Sequence, residues 1–231
     1  MTYVAAIIPA FADLPVELPV FPLSGALLLP QGRLPLNIFE PRYLAMTTDA
    51  LAVGRLFGMI QPDPAAAPGP TGPGLYRIGC LGRLTSFAET EDGRFLVTLT
   101  GIIRFRVVEE LALHRGYRRV RAEYGPFRAD LGQGDATVGA AGGIDRTALL
   151  EALRPFFRAR GIEVNWDAVE QTSDDMLVLT LAMVCPFEPR EKQALLEAAD
   201  APARAAMLIA LLQMGAHGEA SGDLPTDSRP S

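Results

Sequence analysis

The stretch from Arg33 to Met46, RLPLNIFEPRYLAM, limits the fold of this chain most, because its apolar period changes from that of a strand to that of a helix within a few residues. Leu34, Leu36 and Ile38 alternate with Pro35, Asn37 and Phe39, the pattern of a short strand with a buried face. Glu40 then stands at an N-cap position and Pro41 at the first helical position, where a missing N–H removes no bond. Tyr43, Leu44, Thr47 and Leu51 follow at helical spacing, so a helix over about 41–53 is expected directly after the strand. Upstream, prolines at 19, 22, 30 and 35 restrict the strands to short, bent or edge segments. A barrel wall of interrupted strands meets those limits better than a doubly wound sheet does.

Past the helix, Leu56 to Ile60 reads as a short apolar strand ended by Pro62, and the PDPAAAPGPTGPG that follows predicts a mobile loop. Leu75 to Phe87 is expected as a strand with Ile78, Cys80 and Leu84 on one side, Gly79 and Gly82 marking a bulge or a close approach of backbones. Asp92 and Gly93 are expected to take the positive dihedrals of a tight turn. The strand from Arg94 to Glu109 sets Phe95, Val97 and Leu99 on one face; beyond a bend at Gly101, Ile103, Phe105 and Val107 oppose Arg104 and Arg106. Arg118 to Tyr124 repeats that design with Arg119 and Arg121. These four arginines are expected to form an outward ladder across two neighbouring strands.

The Gly- and Ala-rich segment 129–143 is the expected linker between a barrel over 1–128 and a helical part over 144–215, with a polar, disordered tail over 216–231. Asp145 caps a helix with an apolar stripe of Leu149, Leu150, Leu153, Phe156 and Phe157; Pro155 implies a kink and Gly161 a stop. A short helix over 166–170 follows. Thr172 to Asp175 has the form of a capping box opening a helix over 174–185 that is apolar nearly all round, and hence expected at the centre of the bundle. Helices over 190–198 and from Asp200 onward, the last with Met207, Leu208, Leu211 and Leu212 inward, complete the pattern.

The run LPVFPLSGALLLPQGRLPLNIFEPRY, with LFGMIQP, GLYRIGCLGRL and FLVTLTGIIRFRV after it, resembles the N-terminal domain of the Lon family of ATP-dependent proteases. Met176 to Met214 is similar to the helical continuation in free-standing bacterial members of that family. The resemblance implies an α+β chain, a PUA-like pseudo β-barrel followed by a C-terminal helical bundle, which Lon uses to engage protein substrates. It implies a non-catalytic protein-binding module, a substrate adaptor or regulator of proteolysis, partnered by unfolded or extended protein segments and by a protease, with no cofactor. It also implies a groove between barrel and helical part, with the 62–74 loop contributing and Phe21, Phe39 and Tyr43 in its lining. Periodicity alone leaves those three rings equally able to sit in the core.

Within these 231 residues the machinery of ATP-driven proteolysis is missing. No G-x-x-x-x-G-K-[ST] loop occurs, and the sole lysine, Lys192, is expected as a solvated residue on a polar helix side rather than as a partner to a serine. There is no G-x-S-x-G and no H-E-x-x-H, and His114 and His217 fall in an expected loop and tail. Glu40 and Arg42 read as a helix-terminus pair, and Cys80 and Cys185 as core fillers in a reduced, cytoplasmic setting. The N-terminus lacks a basic segment and meets Pro9 too early for a secretory signal, and no apolar run reaches the roughly 18 to 20 residues of a membrane span.

The net charge of -6 is uneven: residues 94–128 hold 8 arginines against 3 acids, and 129–231 hold 8 basic against 16 acidic side chains. Arg104, Arg106, Arg119 and Arg121 thus admit three readings: a solvated face that discourages aggregation, a landing site for acidic protein segments, or a nucleic-acid surface. Overall acidity and the want of an aromatic-rich surface strand argue against the last, an RNA-binding PUA-like module. An enzyme of another kind would need a pocket with convergent polar groups. The pattern fixes no oligomeric state.

Overall fold

The structure, a computed structural model, describes residues 9–132 and 143–217. Most of the expected linker and the tail from 218 onward lie outside them, as does the side chain of His217. The described residues fall into two compact units, 9–132 with Glu188–Glu197, and 143–187 with 198–217. The chain therefore enters the second unit, returns to the first for one helix, and leaves again.

Six strands build the first unit: β1 (Glu17–Pro22), β2 (Arg33–Ile38), β3 (Leu56–Ile60), β4 (Ile78–Glu89), β5 (Phe95–His114) and β6 (Tyr117–Glu123). All pairings are antiparallel except β1 with β3. They run in a ring through β5, β4, β3, β1 and β6 back to β5, a pseudo-barrel broken by bulges, while β2 hangs outside the ring, paired among the described residues with β5 alone. The length of β5 makes this possible: 95–100 pair with β2 and 106–114 with β6, β4 spanning 95–106 on the other edge.

Gly101 is the corner of β5. Leu81 pairs with Ile103 and Gly82 with Gly101, so Ile102 is extruded as a bulge. On the other side the 30–32 backbone closes on Gly101, which donates to the Gly32 carbonyl at 2.8 Å. Inside the ring, Leu18, Val20, Leu81, Ile103, Phe105 and Val120 form the core. The Phe105 ring lies over Gly79, where a Cβ would come within 2.5 Å of it. Burying such a ring stabilises the unit by roughly 1.5–3 kcal/mol.

Helix α1 (Pro41–Ala52) starts at Pro41 as its sequence dictates. Glu40 makes no cap bond and instead accepts from Arg42 Nε at 2.9 Å. The turn at 90–94 differs from expectation in that Gly93 alone has positive φ, +78°, since one left-handed residue suffices in this longer loop. The 62–74 loop is not the loose segment expected. Asp63 and Gly74 close it by a backbone bond of 2.9 Å, and buried Arg118 donates to the Pro73 carbonyl at 2.7 Å while pairing with Glu110.

Helix α5 (Pro189–Glu197) belongs to this first unit and is fastened to it by polar groups. Gln61 accepts from Gly25 N–H at 3.0 Å and donates to the Pro189 carbonyl at 3.0 Å and to Gln193 Oε1 at 3.2 Å; Gln193 donates to the Ile78 carbonyl at 3.1 Å. Lys192 corrects its sequence reading: it is buried, its Nζ donating to the Gly25 carbonyl at 2.8 Å. The aliphatic stem of a lysine can cross an apolar surface when a carbonyl waits at its end.

The second unit holds α2 (Arg146–Ala159), α3 (Trp166–Gln171), α4 (Asp174–Val184) and α6 (Ala201–His217). Asp145 caps α2 by accepting from Ala148 N–H at 2.9 Å. Arg146 donates to the Val169, Glu170 and Thr172 carbonyls, so a side chain of α2 satisfies the end of α3. The capping box does not form: Ser173 is the N-cap without a side-chain bond, and the Thr172 hydroxyl turns back to the Ala168 carbonyl at 2.7 Å. Nor is α4 central, for Leu177, Val178, Leu181 and Ala182 are buried while Met176 and Val184 face solvent. Its even hydrophobicity hid which side packs.

Candidate functional site

A groove of about 580 Å³ opens in the first unit among the segment leading into β1, the C-terminal end of α1 with the turn after it, and the β5–β6 hairpin. Pro15, Pro19, Ala50 and Leu56 give it apolar walls, and Asp13, Glu17 and Arg119 give it charge of both signs. Val53 stands on its edge 78% exposed.

Asp49, one turn before the end of α1, organises the hairpin side. It accepts from the Tyr117 hydroxyl at 2.9 Å, pairs with Arg115, and lies 3.8 Å from His114 Nε2. Arg115 and Gly116, both with positive φ, turn the hairpin tightly enough to bring all three side chains to one carboxylate. Burial first, then the hydrogen bond to Asp49 and its negative charge, push the Tyr117 phenol from the ordinary 10.0 up to about 12. It is therefore a neutral donor at any physiological pH.

An unfolded tyrosine loses its proton near its ordinary value while folded Tyr117 keeps its own, so the unfolded state binds fewer protons and stability falls as pH rises from 10.0 to about 12. Tyr117→Phe is expected to flatten part of that decline, in urea midpoints measured from about pH 9 to about pH 12. A slope equal to that of the unsubstituted protein would assign the titration to another group.

The residues named from sequence do not gather in one place. Phe21 and Tyr43 are buried, their rings 4.1 Å apart, with the Arg42 guanidinium over Tyr43. Phe39 is 61% exposed beside Arg94, near the β4–β5 hairpin where Phe87 and Phe95 pack edge to face. The outward arginine ladder is corrected at Arg104, which is only 5% exposed. The turn Gly125–Leu131 covers that face of β5 and presents Asp130, which takes Arg104 Nε and Nη2 at 2.9 Å each, while Phe127 lies beneath the guanidinium. At Arg104 and Phe105 the strand is thus covered on both faces. Arg106, Arg119 and Arg121 are more open, and each meets an acid across the sheet: Glu123 at 3.5 Å, Glu17 at 3.3 Å and Glu109 at 3.1 Å. Such cross-strand pairs contribute roughly 0.2–1 kcal/mol each and cancel the positive field.

Sequence reading missed Asp49 and Tyr117, the polar centre of the groove. The signal available was Arg115-Gly116 between two alternating runs, a two-residue hairpin turn that would have placed His114 at a strand end facing Tyr117. Among the described residues no three His, Cys, Asp or Glu side chains converge as metal ligands do. No helix among them is long and apolar enough to cross a membrane.

Residues 17–214 match the family model described as ATP-dependent protease La (LON) substrate-binding domain. Lon protease 2 of Myxococcus xanthus is 28% identical over 203 residues, which is 87% of this chain and 24% of that protein. The chain spans about a quarter or less of the length of the curated relatives it matches. The crystal structure of a Lon N-terminal domain protein from Xanthomonas campestris aligns with a TM-score of 0.58 at 21% identity, covering 84% of this chain and 97% of that one. The N-terminal domain of Mycobacterium avium complex Lon protease aligns with a TM-score of 0.57 at 16% identity, over 85% and 97%. At those identities the two structures speak for the fold.

Proposed function

The chain belongs to the family of Lon protease substrate-binding domains, and from that premise we propose that it is a protein-binding module holding an unfolded or extended protein segment, either to present it to a protease or to regulate one. The observation that supports this most is the groove, whose apolar walls and mixed charges fit side chains of a polypeptide rather than one small reactive molecule. Among the described residues that line it, no serine, threonine or cysteine stands beside His114 and Asp49 to act as a nucleophile. Exposed Phe39 is a second contact in this reading, with Phe21 and Tyr43 supporting the neighbouring surface from within. A reduced, cytoplasmic setting accords with two free and buried cysteines. The RNA alternative loses its main support because the arginines it would use are paired with acids.

The test is fluorescence anisotropy with a labelled, reduced and carboxymethylated globular protein as the unfolded probe. Val53→Arg alters an exposed side chain on the groove edge and should leave the melting temperature unchanged. Binding is expected to weaken about tenfold, the effect of losing one apolar anchor. Equal affinity of the two proteins would move the site away from the groove.

A further inference from the structure

We propose that the free edge of β2 takes an extended segment of another protein as an additional antiparallel strand, a recognition mode that rests on the protein-binding reading above and specifies its geometry. Among the described residues β2 pairs with β5 alone. Gly101 N–H bonds to the Gly32 carbonyl, and from that pair the alternation of an antiparallel ladder directs Leu34, Leu36 and Ile38 toward β5. Arg33, Pro35 and Asn37 then point their backbone groups away from the sheet, and all three residues are exposed. The edge offers the N–H and C=O of Arg33 and of Asn37 and the C=O of Pro35.

Three features state what would lie there. First, the apolar layer stops short: Val97 and Leu99 are buried on β5, while their partners Leu36 and Leu34 are half-buried on the same face, lacking a neighbour on the outer side. Apolar residues at alternate positions of an added strand would cover them. Second, Arg33 is exposed and forms no ion pair among the described residues, which fits an acidic residue opposite it. Third, Pro35 selects against a second copy of β2. Two such strands centred on their prolines would face carbonyl against missing N–H twice, whereas an ordinary segment supplies the N–H. The occupant is therefore an extended segment reading apolar, any residue, apolar, acidic, from its N- to its C-terminus.

The probe is a fluorescein-labelled peptide, Thr-Val-Thr-Val-Glu-Thr, titrated with the full chain and followed by anisotropy. Its central threonine and its glutamate would direct their N–H groups to the Pro35 and Arg33 carbonyls, and its valines would direct theirs away. N-methylation of that threonine and the glutamate is expected to weaken binding at least tenfold, and N-methylation of the two valines to leave it unchanged. Asn37→Pro, which removes an edge N–H and no bond to β5, should weaken binding several-fold, and Pro35→Ala, which adds an edge donor, should tighten it. If both methylated peptides bind alike, the edge proposal is overturned, and sensitivity of that binding to Val53→Arg would keep the protein-binding reading. If the peptide is not bound while the carboxymethylated protein is, the edge proposal fails alone. If neither is bound, both fail.

Discussion

Gly101→Ala is expected to cost more than about 3 kcal/mol of stability, the largest effect of any single methyl group in the first unit. A Cβ at this position would stand 2.0 Å from the Leu29 carbonyl oxygen and 2.8 Å from its carbon. Those are backbone atoms, and they have no room to retreat. The 30–32 segment is tied to Gly101 on both sides by the bonds from Gln31 N–H to the Gly101 carbonyl at 2.9 Å and from Gly101 N–H to the Gly32 carbonyl at 2.8 Å. Relief would require breaking the corner at which β5 passes from one neighbour to the next. Gly93→Ala is the natural comparison. Its φ of +78° is strained for alanine but its surroundings are open, so a loss of about 1 kcal/mol is expected there. Urea midpoints of the two variants should differ accordingly, and near-equal values would show that the corner is pliant.

Asp130→Ala is expected to destabilise the first unit by about 3–5 kcal/mol, because it leaves the Arg104 guanidinium buried without its counter-charge. The carboxylate accepts three bonds from Arg104, two from the side chain and one from its backbone N–H at 3.0 Å. Arg104 Nη1 also donates to the Leu196 carbonyl at 3.2 Å, a partner that supplies a dipole but no charge. Removing both charged groups together is a different experiment. Arg104→Met with Asp130→Leu replaces the pair by apolar volume and is expected to recover most of the loss, by the general rule that a buried ion pair is worth little net but much once half broken. Chemical denaturation of the single and double variants separates the two cases. A single variant as stable as the double would mean that water reaches Arg104 when Asp130 is gone.

These two sites also mark where sequence reasoning succeeds and stops. Local signals were sufficient for the strand–helix unit at Arg33–Met46, for the strand at Leu56–Ile60, for the Asp145 cap and for the bend at Gly101, because each depends on residues a few positions apart. The arginine ladder failed at Arg104 because period two reports which residues share a face, not what else in the chain covers that face. Lys192 failed for the same reason: its neighbours are polar, and the carbonyl that makes its burial tolerable is 167 positions away. The candidate groove shows the limit most clearly. Asp49 reads as an ordinary polar helix residue until the hairpin turn at Arg115–Gly116 carries Tyr117 to it across 68 positions.

The return of the chain to the first unit at α5 has a consequence for the order in which the protein is made. Gln61, Arg104 and the Gly25 carbonyl find partners on residues 189–196, so a nascent chain that has emerged only as far as β6 holds a barrel with unsatisfied interior polar groups. At the usual pace of synthesis, the 74 residues from 124 to 197 take roughly 4 to 15 s to appear. During that interval α2, α3 and α4 emerge, while α6, the helix they share a unit with, has yet to be synthesised. Neither unit can finish before the other has begun, and the ribosome delivers them interleaved rather than one after the other.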